Sequence, residues 1–296
     1  MRWISTLKRG SVLLLAVALA ACQTAQGPAT TAASASATPA VQSASLPVIS
    51  YAPATAVERG FSALVLNAAT GEELYAVDAD APRYPASLSK MMTLYLLFEA
   101  VSEGRYSLSS PLTVSAKAAA EPPAKIGLKA GSTITVEQAA RALAVKSAND
   151  VALAIAENLA GSEAAFARQM TEQARALGLS RTRFVNATGL PDPSQVTSAR
   201  DMAKLGLALK RRFPQYGSYY RAKSFSYNGR SFRATNNLIG KVAGVDGLKT
   251  GYIRMSGYNL VATANRGGKR LVVVVMGGQS EAARDREVTR LIEAYS

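Results

Sequence analysis

Ser87-Leu88-Ser89-Lys90 places a hydroxyl and an amine three residues apart. On a helix such positions lie one above the other, so Lys90 can reach the Ser87 hydroxyl. A serine hydroxyl becomes a competent nucleophile only when a base takes its proton. The 296-residue chain has no histidine, which excludes a Ser-His-Asp triad, a Cys-His pair and a His-ligated metal. Its single cysteine excludes an internal disulfide and a cysteine-built zinc site. No cofactor and no metal is expected, and lysine is the side-chain base left to consider. An amine serves as a base only when neutral, and a reference pKa of about 10.4 leaves almost none neutral at pH 7. Burial or a second cation lowers it. A structural alternative stands beside this one: Ser87 as a helix N-cap and Lys90 as an exposed first-turn lysine. S-x-x-K alone occurs by chance in many chains.

Two further triplets sharpen the reading. Ser147-Ala148-Asn149 lies in a polar connection between two expected helices, and Lys249-Thr250-Gly251 lies at the end of an expected strand. Lys249 offers the second cation, and Gly251 lets the backbone approach a ligand closely. S-x-x-K, S-x-N and K-T-G in this order form the motif set of penicillin-recognising serine enzymes. Around them, Pro85-Ala-Ser-Leu-Ser-Lys-Met-Met-Thr93, Ser147-Ala-Asn-Asp-Val-Ala152, Phe184-Val-Asn-Ala-Thr-Gly-Leu190, Ser198-Ala-Arg-Asp-Met-Ala203 and Val245-Asp-Gly-Leu-Lys-Thr-Gly-Tyr252 are similar to blocks of the bacterial serine-type D-Ala-D-Ala carboxypeptidases, the low-molecular-mass penicillin-binding proteins. The resemblance runs from about residue 60 to the end.

That resemblance implies a role for each residue. Ser87 is the nucleophile and Lys90 its base. Ser147 passes protons toward Lys249 and the leaving amine. Asn149 holds the substrate amide, Thr250 binds the terminal carboxylate, and Lys249 supplies positive charge. Two backbone N–H groups, from Ser87 and from the strand near Tyr252 beyond Gly251, hold the oxyanion. The implied substrates are peptidoglycan stem peptides, with β-lactams as covalent inhibitors. The chain departs from the family at Ile253, where Thr is common, and at Ala187-Thr188, where Pro-His is common. Both departures are expected near substrate-binding surfaces. A D,D-endopeptidase would use the same residues. A class A β-lactamase would also need a glutamate in an E-x-x-L-N segment, which is missing between Ser147 and Lys249, and usually has Asp where Ala148 stands. A non-catalytic wall-binding lipoprotein is the alternative from another class.

The elements that must position these residues follow from periodicity. Phe61 to Asn67 and Glu72 to Val77 read as a hairpin about Thr70-Gly71. Ser87 to Val101 is apolar at helical spacing. Leu112 to Thr135 is turn-rich. Val136 to Leu159 reads as two helices, and Ser162 to Leu177 and Ser198 to Arg212 as two more. Val245 to Lys249, Tyr258 to Ala264 and Arg270 to Met276 read as strands. The last is a continuous β-branched run suited to a central position. Glu281 to Tyr295 is a closing amphipathic helix. Strands from both ends of the chain must meet in one sheet. The expected fold is α/β: a single β-lactamase/D,D-peptidase-like domain, its mostly antiparallel sheet flanked by helices with a helical insertion.

Residues 1–21 read as a lipoprotein signal peptide. Arg2, Lys8 and Arg9 precede the apolar run Val12 to Ala21, which is too short to span a bilayer as a mature helix. Leu19-Ala20-Ala21-Cys22 resembles a lipobox, which implies lipidation of Cys22 and anchoring through its acyl chains. Gln23 after it implies the outer membrane where one exists. Residues 22–57 form an uncharged Ala/Ser/Thr/Pro tether, and 58–296 the catalytic domain. The expected location is exported, periplasmic and lipid-anchored. The lipidated end is expected to replace the second domain and C-terminal anchor of many relatives. Residues 200–270 hold fifteen Lys or Arg against only Asp201 and Asp246. Such a field gathers anionic partners. In an exported protein that means acidic peptides rather than nucleic acid.

Overall fold

The computed structural model describes residue 57 and residues 59–296. The expected signal peptide, Cys22 and nearly all of the expected tether lie outside the described residues.

Five strands form one antiparallel sheet in the order β2-β1-β9-β8-β7. They are β1 (Ser62–Asn67), β2 (Glu73–Val77), β7 (Val245–Ile253), β8 (Gly257–Arg266) and β9 (Lys269–Gly278). β1 and β9 pair from Ser62↔Met276 to Asn67↔Leu271, so the two ends of the domain meet in the middle of the sheet, as the periodicity requires. The β-branched run of β9 is central and buried on both faces. Val272, Val274 and Met276 enter the core on the helical side, and Leu271, Val273 and Val275 the smaller core beneath the last helix, α8 (Glu281–Tyr295).

The helical side is built from α1 (Lys90–Ser102), α2 (Ala116–Ala120), α3 (Val136–Lys146), α4 (Asn149–Ala160), α5 (Glu163–Ala176), α6 (Ala199–Arg212) and α7 (Gly217–Arg221). α1 is buried on nearly every face, which fits a sequence apolar all round and makes it the central helix. A 3-10 turn, Ala86–Ser89, leads into it and carries Ser87. α3 begins with a capping box between Thr135 and Gln138 and ends at Ser147 in the left-handed conformation (φ 62°).

Several elements differ from the sequence reading. The turn-rich stretch contains α2 and a small two-stranded sheet, β3 (Pro111–Thr113) with β4 (Thr133–Thr135). A hairpin that periodicity alone passes over, β5 (Ser224–Tyr227) with β6 (Arg230–Arg233), sits between α7 and β7. β7 runs four residues beyond Lys249. The Lys249-Thr250-Gly251 triplet is therefore paired mid-strand, with Val261, Leu260 and Asn259, and is not at a strand end. β7 is also the edge of the sheet, and its face at Gly251 packs on the Ser87 turn.

Candidate active site

Ser87, Ser147, Thr250, Gly251 and Tyr252 line one cleft of about 340 Å³, together with Thr235, Tyr258 and Arg284. Lys90 and Lys249 lie buried behind it. Three parts of the fold converge here: the 3-10 turn before α1, the α3–α4 junction, and edge strand β7. The junction is pinned by Asp150, whose buried carboxylate accepts the N–H groups of Ile126, Gly127 and Leu128 at 2.9–3.3 Å. β7 is pressed against the Ser87 turn. A Cβ at Gly251 would sit 3.1 Å from both Pro85 O and Ser87 N. The glycine thus serves the approach of two backbones within the protein, and the Ser87 amide comes to lie beside the strand that carries Tyr252.

Lys90 is fully buried. Its Nζ lies 2.9 Å from Ser87 Oγ and donates a second hydrogen bond to the Thr188 carbonyl. Burial, and then the charge of Lys249, hold its pKa well below the ordinary lysine range, while Glu121 pulls weakly the other way. A neutral amine that donates to Thr188 O keeps its lone pair for the Ser87 proton. The exposed first-turn lysine of the alternative reading is absent: Lys90 has no solvent-accessible surface.

Ala187 and Thr188 are buried and do not line the cleft. Their carbonyls accept from Thr93 and Lys90. The loop that carries them packs on α1 and lies next to the amine that meets Ser87 Oγ, so it is near the cleft without lining it. Ile253 is likewise outside the cleft lining.

Ser147 combines left-handed backbone with a buried Oγ that has no hydrogen-bond partner among the described residues. A non-glycine residue in that region is strained, and an unpaired buried hydroxyl costs desolvation. Both features concentrate where a site must be preorganised. Asn149 is tied into the wall: its Nδ2 donates to Pro122 O at 2.6 Å and its N–H to Ala124 O at 2.6 Å. Thr250 Oγ1 donates to Thr235 Oγ1 at 2.8 Å. Tyr252 is half exposed and packs on Tyr258, ring centres 4.3 Å apart.

Lys249 donates to Thr250 O at 2.8 Å, and its pKa is lowered to about 7, first by burial and then by Arg284. It is therefore only part-charged at neutral pH. Arg284 on α8 also lines the cleft, nearly buried and held by Asp285 at 2.7 Å, with Lys146 and the Glu281 carboxylate in the same lining. Sequence reasoning passed over Arg284, one charge on an amphipathic helix, and Thr235, which has no motif around it.

The whole arrangement can activate a serine and hold a carboxylate beside it. A D-alanyl-D-alanine carboxypeptidase family model matches residues 51–280. The chain belongs to this D-alanyl-D-alanine carboxypeptidase family. It is 38% identical to D-alanyl-D-alanine carboxypeptidase DacA of Escherichia coli over 238 residues, covering 78% of this chain and 59% of that one. The chain thus spans about three-fifths of the length of such curated relatives. Penicillin binding protein 5 from Haemophilus influenzae superposes with a TM-score of 0.76 at 32% identity, over 82% of this chain and 72% of that one. Penicillin-Binding Protein D2 from Listeria monocytogenes, solved in the ampicillin-bound form, gives 0.69 at 32% identity, over 80% and 96%. The carboxypeptidase family's α/β architecture, an antiparallel sheet flanked by helices, is the architecture of this chain.

Proposed function

We propose that the domain is a serine D-alanyl-D-alanine carboxypeptidase that removes the terminal D-Ala from peptidoglycan stem pentapeptides. The observation that carries this reading is the buried amine of Lys90 at 2.9 Å from Ser87 Oγ in a chain without histidine. Neutral Lys90 takes the Ser87 proton as Oγ attacks the D-Ala-D-Ala carbonyl. The Ser87 amide and the β7 backbone near Tyr252 receive the oxyanion. The substrate lies along the free edge of β7, where main-chain groups are available to an added strand. Thr250, Lys249 and Arg284 face its terminal carboxylate, and Asn149 its amide. Ser147 relays that proton from Lys90 to the departing D-Ala amine, which leaves Lys90 neutral again. Water then attacks the Ser87 ester, and Lys90 takes its proton and returns it to Ser87 Oγ as the shortened peptide leaves.

β-Lactams are the matching covalent inhibitors, because their amide mimics the scissile bond and their amine stays tethered after ring opening. Lys90 meets a backbone carbonyl at Thr188, so the loop over it supplies no carboxylate at that contact to drive penicilloyl hydrolysis. Incubation with benzylpenicillin and intact-mass detection tests the acylation step. A long-lived adduct of one penicillin is expected, absent from Ser87→Ala. Rapid turnover of penicillin would favour a β-lactamase instead, and no adduct would favour a wall-binding protein. Cleavage of cross-linked dimers without D-Ala release from pentapeptide would favour an endopeptidase.

The same reading makes the protein an exported, periplasmic lipoprotein held through lipidated Cys22, in the outer membrane where one exists. The apolar run before Cys22, Gln23 after it and the uncharged tether support this.

A further inference from the structure

The catalytic cleft uses only part of the basic surface. A separate groove of about 490 Å³ lies at the other end of the sheet, on its helical side. Its charged lining is Lys210, Arg211, Arg221 and Arg270 against one carboxylate, Asp246. Lys210 is paired with Asp246 at 2.9 Å. Arg211 is turned to the carbonyls of Ala68 and Ala69, at 2.7 and 2.9 Å. Arg221 and Arg270 are exposed and have no ion pair among the described residues. Strand β8 connects the two places: Tyr258 borders the cleft, and Thr263 to Asn265 border the groove. Five to seven residues of strand separate them by about 17–23 Å.

We infer that this groove is a second binding site for carboxylates of the polymeric substrate, engaging another part of the same wall polymer whose stem peptide occupies the cleft. This rests on the carboxypeptidase reading above. Two unpaired guanidinium groups are forks suited to carboxylates, which stem peptides carry at intervals. The recess is concave, with Pro214 and Leu271 in its lining, and so fits a chain better than a flat bilayer. Occupying it raises the local concentration of the next stem peptide at Ser87. The enzyme then favours polymer over free pentapeptide without any change in chemistry.

The test compares wild type with the double variant Arg221→Ser/Arg270→Ser, both sites being exposed and outside the cleft. D-Ala release is measured from insoluble wall polymer and from soluble pentapeptide at low salt. The double variant should show a roughly tenfold higher KM on polymer, the order expected of two surface charge contacts. Its kcat on polymer and its kinetics on pentapeptide should not change. Equal KM on polymer, or an equal fall on both substrates, overturns the proposal. Co-sedimentation of Ser87→Ala protein with wall polymer, with and without the two arginines, reads the groove independently of turnover. If D-Ala release fails altogether but pelleting still depends on the arginines, the groove stands and the carboxypeptidase reading falls. If the arginines govern pelleting with phosphatidylglycerol vesicles and not with polymer, the ligand is a lipid surface and the proposal is overturned.

Discussion

In the proposed reaction, two lysines divide the work at Ser87 by protonation state. Lys90 is depressed by burial and by Lys249, and it must be neutral to act. Lys249 is depressed to about 7 by burial and Arg284, and it must be charged to hold a carboxylate. In the free enzyme, activity therefore rises with pH as Lys90 loses its proton and falls above about 7 as Lys249 loses its own. The pH profile of kcat/KM reports both limbs. Lys249→Arg, which stays charged, should retain part of the activity and lose the alkaline limb. An unchanged limb would remove Lys249 from the assignment. Lys90→Arg keeps the charge but cannot surrender a proton, so penicillin acylation should vanish rather than weaken. Arg284→Met should raise the Lys249 pKa and move the alkaline limb upward, while weakening carboxylate binding by roughly tenfold or more. A limb that stays at about 7 would show that Arg284 does not reach Lys249 electrostatically.

At the scale of elements, the site depends on loops held by single anchors. Asp150 pins the wall opposite β7 through three N–H groups, so Asp150→Ala should cost about 2–3 kcal/mol by leaving buried donors unpaired. Chemical denaturation measures it, and a loss under about 0.5 kcal/mol would contradict the anchor, being the range of surface substitutions. Gly189 stands at φ 78°, and a Cβ there would come 1.9 Å from Ala86 O, inside the turn that precedes Ser87. Gly189→Ala should lower stability by more than about 2 kcal/mol and slow acylation through the displaced turn. The sheet, α1 and α8 were legible because long apolar periods leave few alternatives. The Ser87–Lys90 contact was legible because helical spacing imposes it. The β5–β6 hairpin was missed, although Asn228-Gly229, both at positive φ between Phe225, Tyr227 and Phe232, is a turn signal that could have found it. Arg284, Thr235 and the Thr188 carbonyl were not legible, because tertiary packing brings them to the site without a local signature. The extent of β7 was missed because Gly251, a weak strand former, reads as a stop, whereas pairing with β8 carries the strand on to Ile253.

At the scale of the whole molecule, the proposed anchor rests on Cys22, the chain's only cysteine. Cys22→Ser should abolish incorporation of radiolabelled fatty acid and release the protein from the membrane fraction; equal labelling of both forms would remove the lipid anchor from the account. Because the proposed lipid on Cys22 takes no part in the chemistry at Ser87, the same variant should keep its rate of penicillin acylation. The central claim is that Ser87, activated by neutral Lys90, opens the D-Ala-D-Ala bond. Its most direct measurement is the release of free D-Ala from a stem pentapeptide by the purified protein, with Ser87→Ala and Lys90→Arg alongside. The wild type should release one D-Ala per peptide catalytically, and neither variant should release any above background. Release that persists in Lys90→Arg, or a wild type that leaves the pentapeptide intact, would contradict the claim.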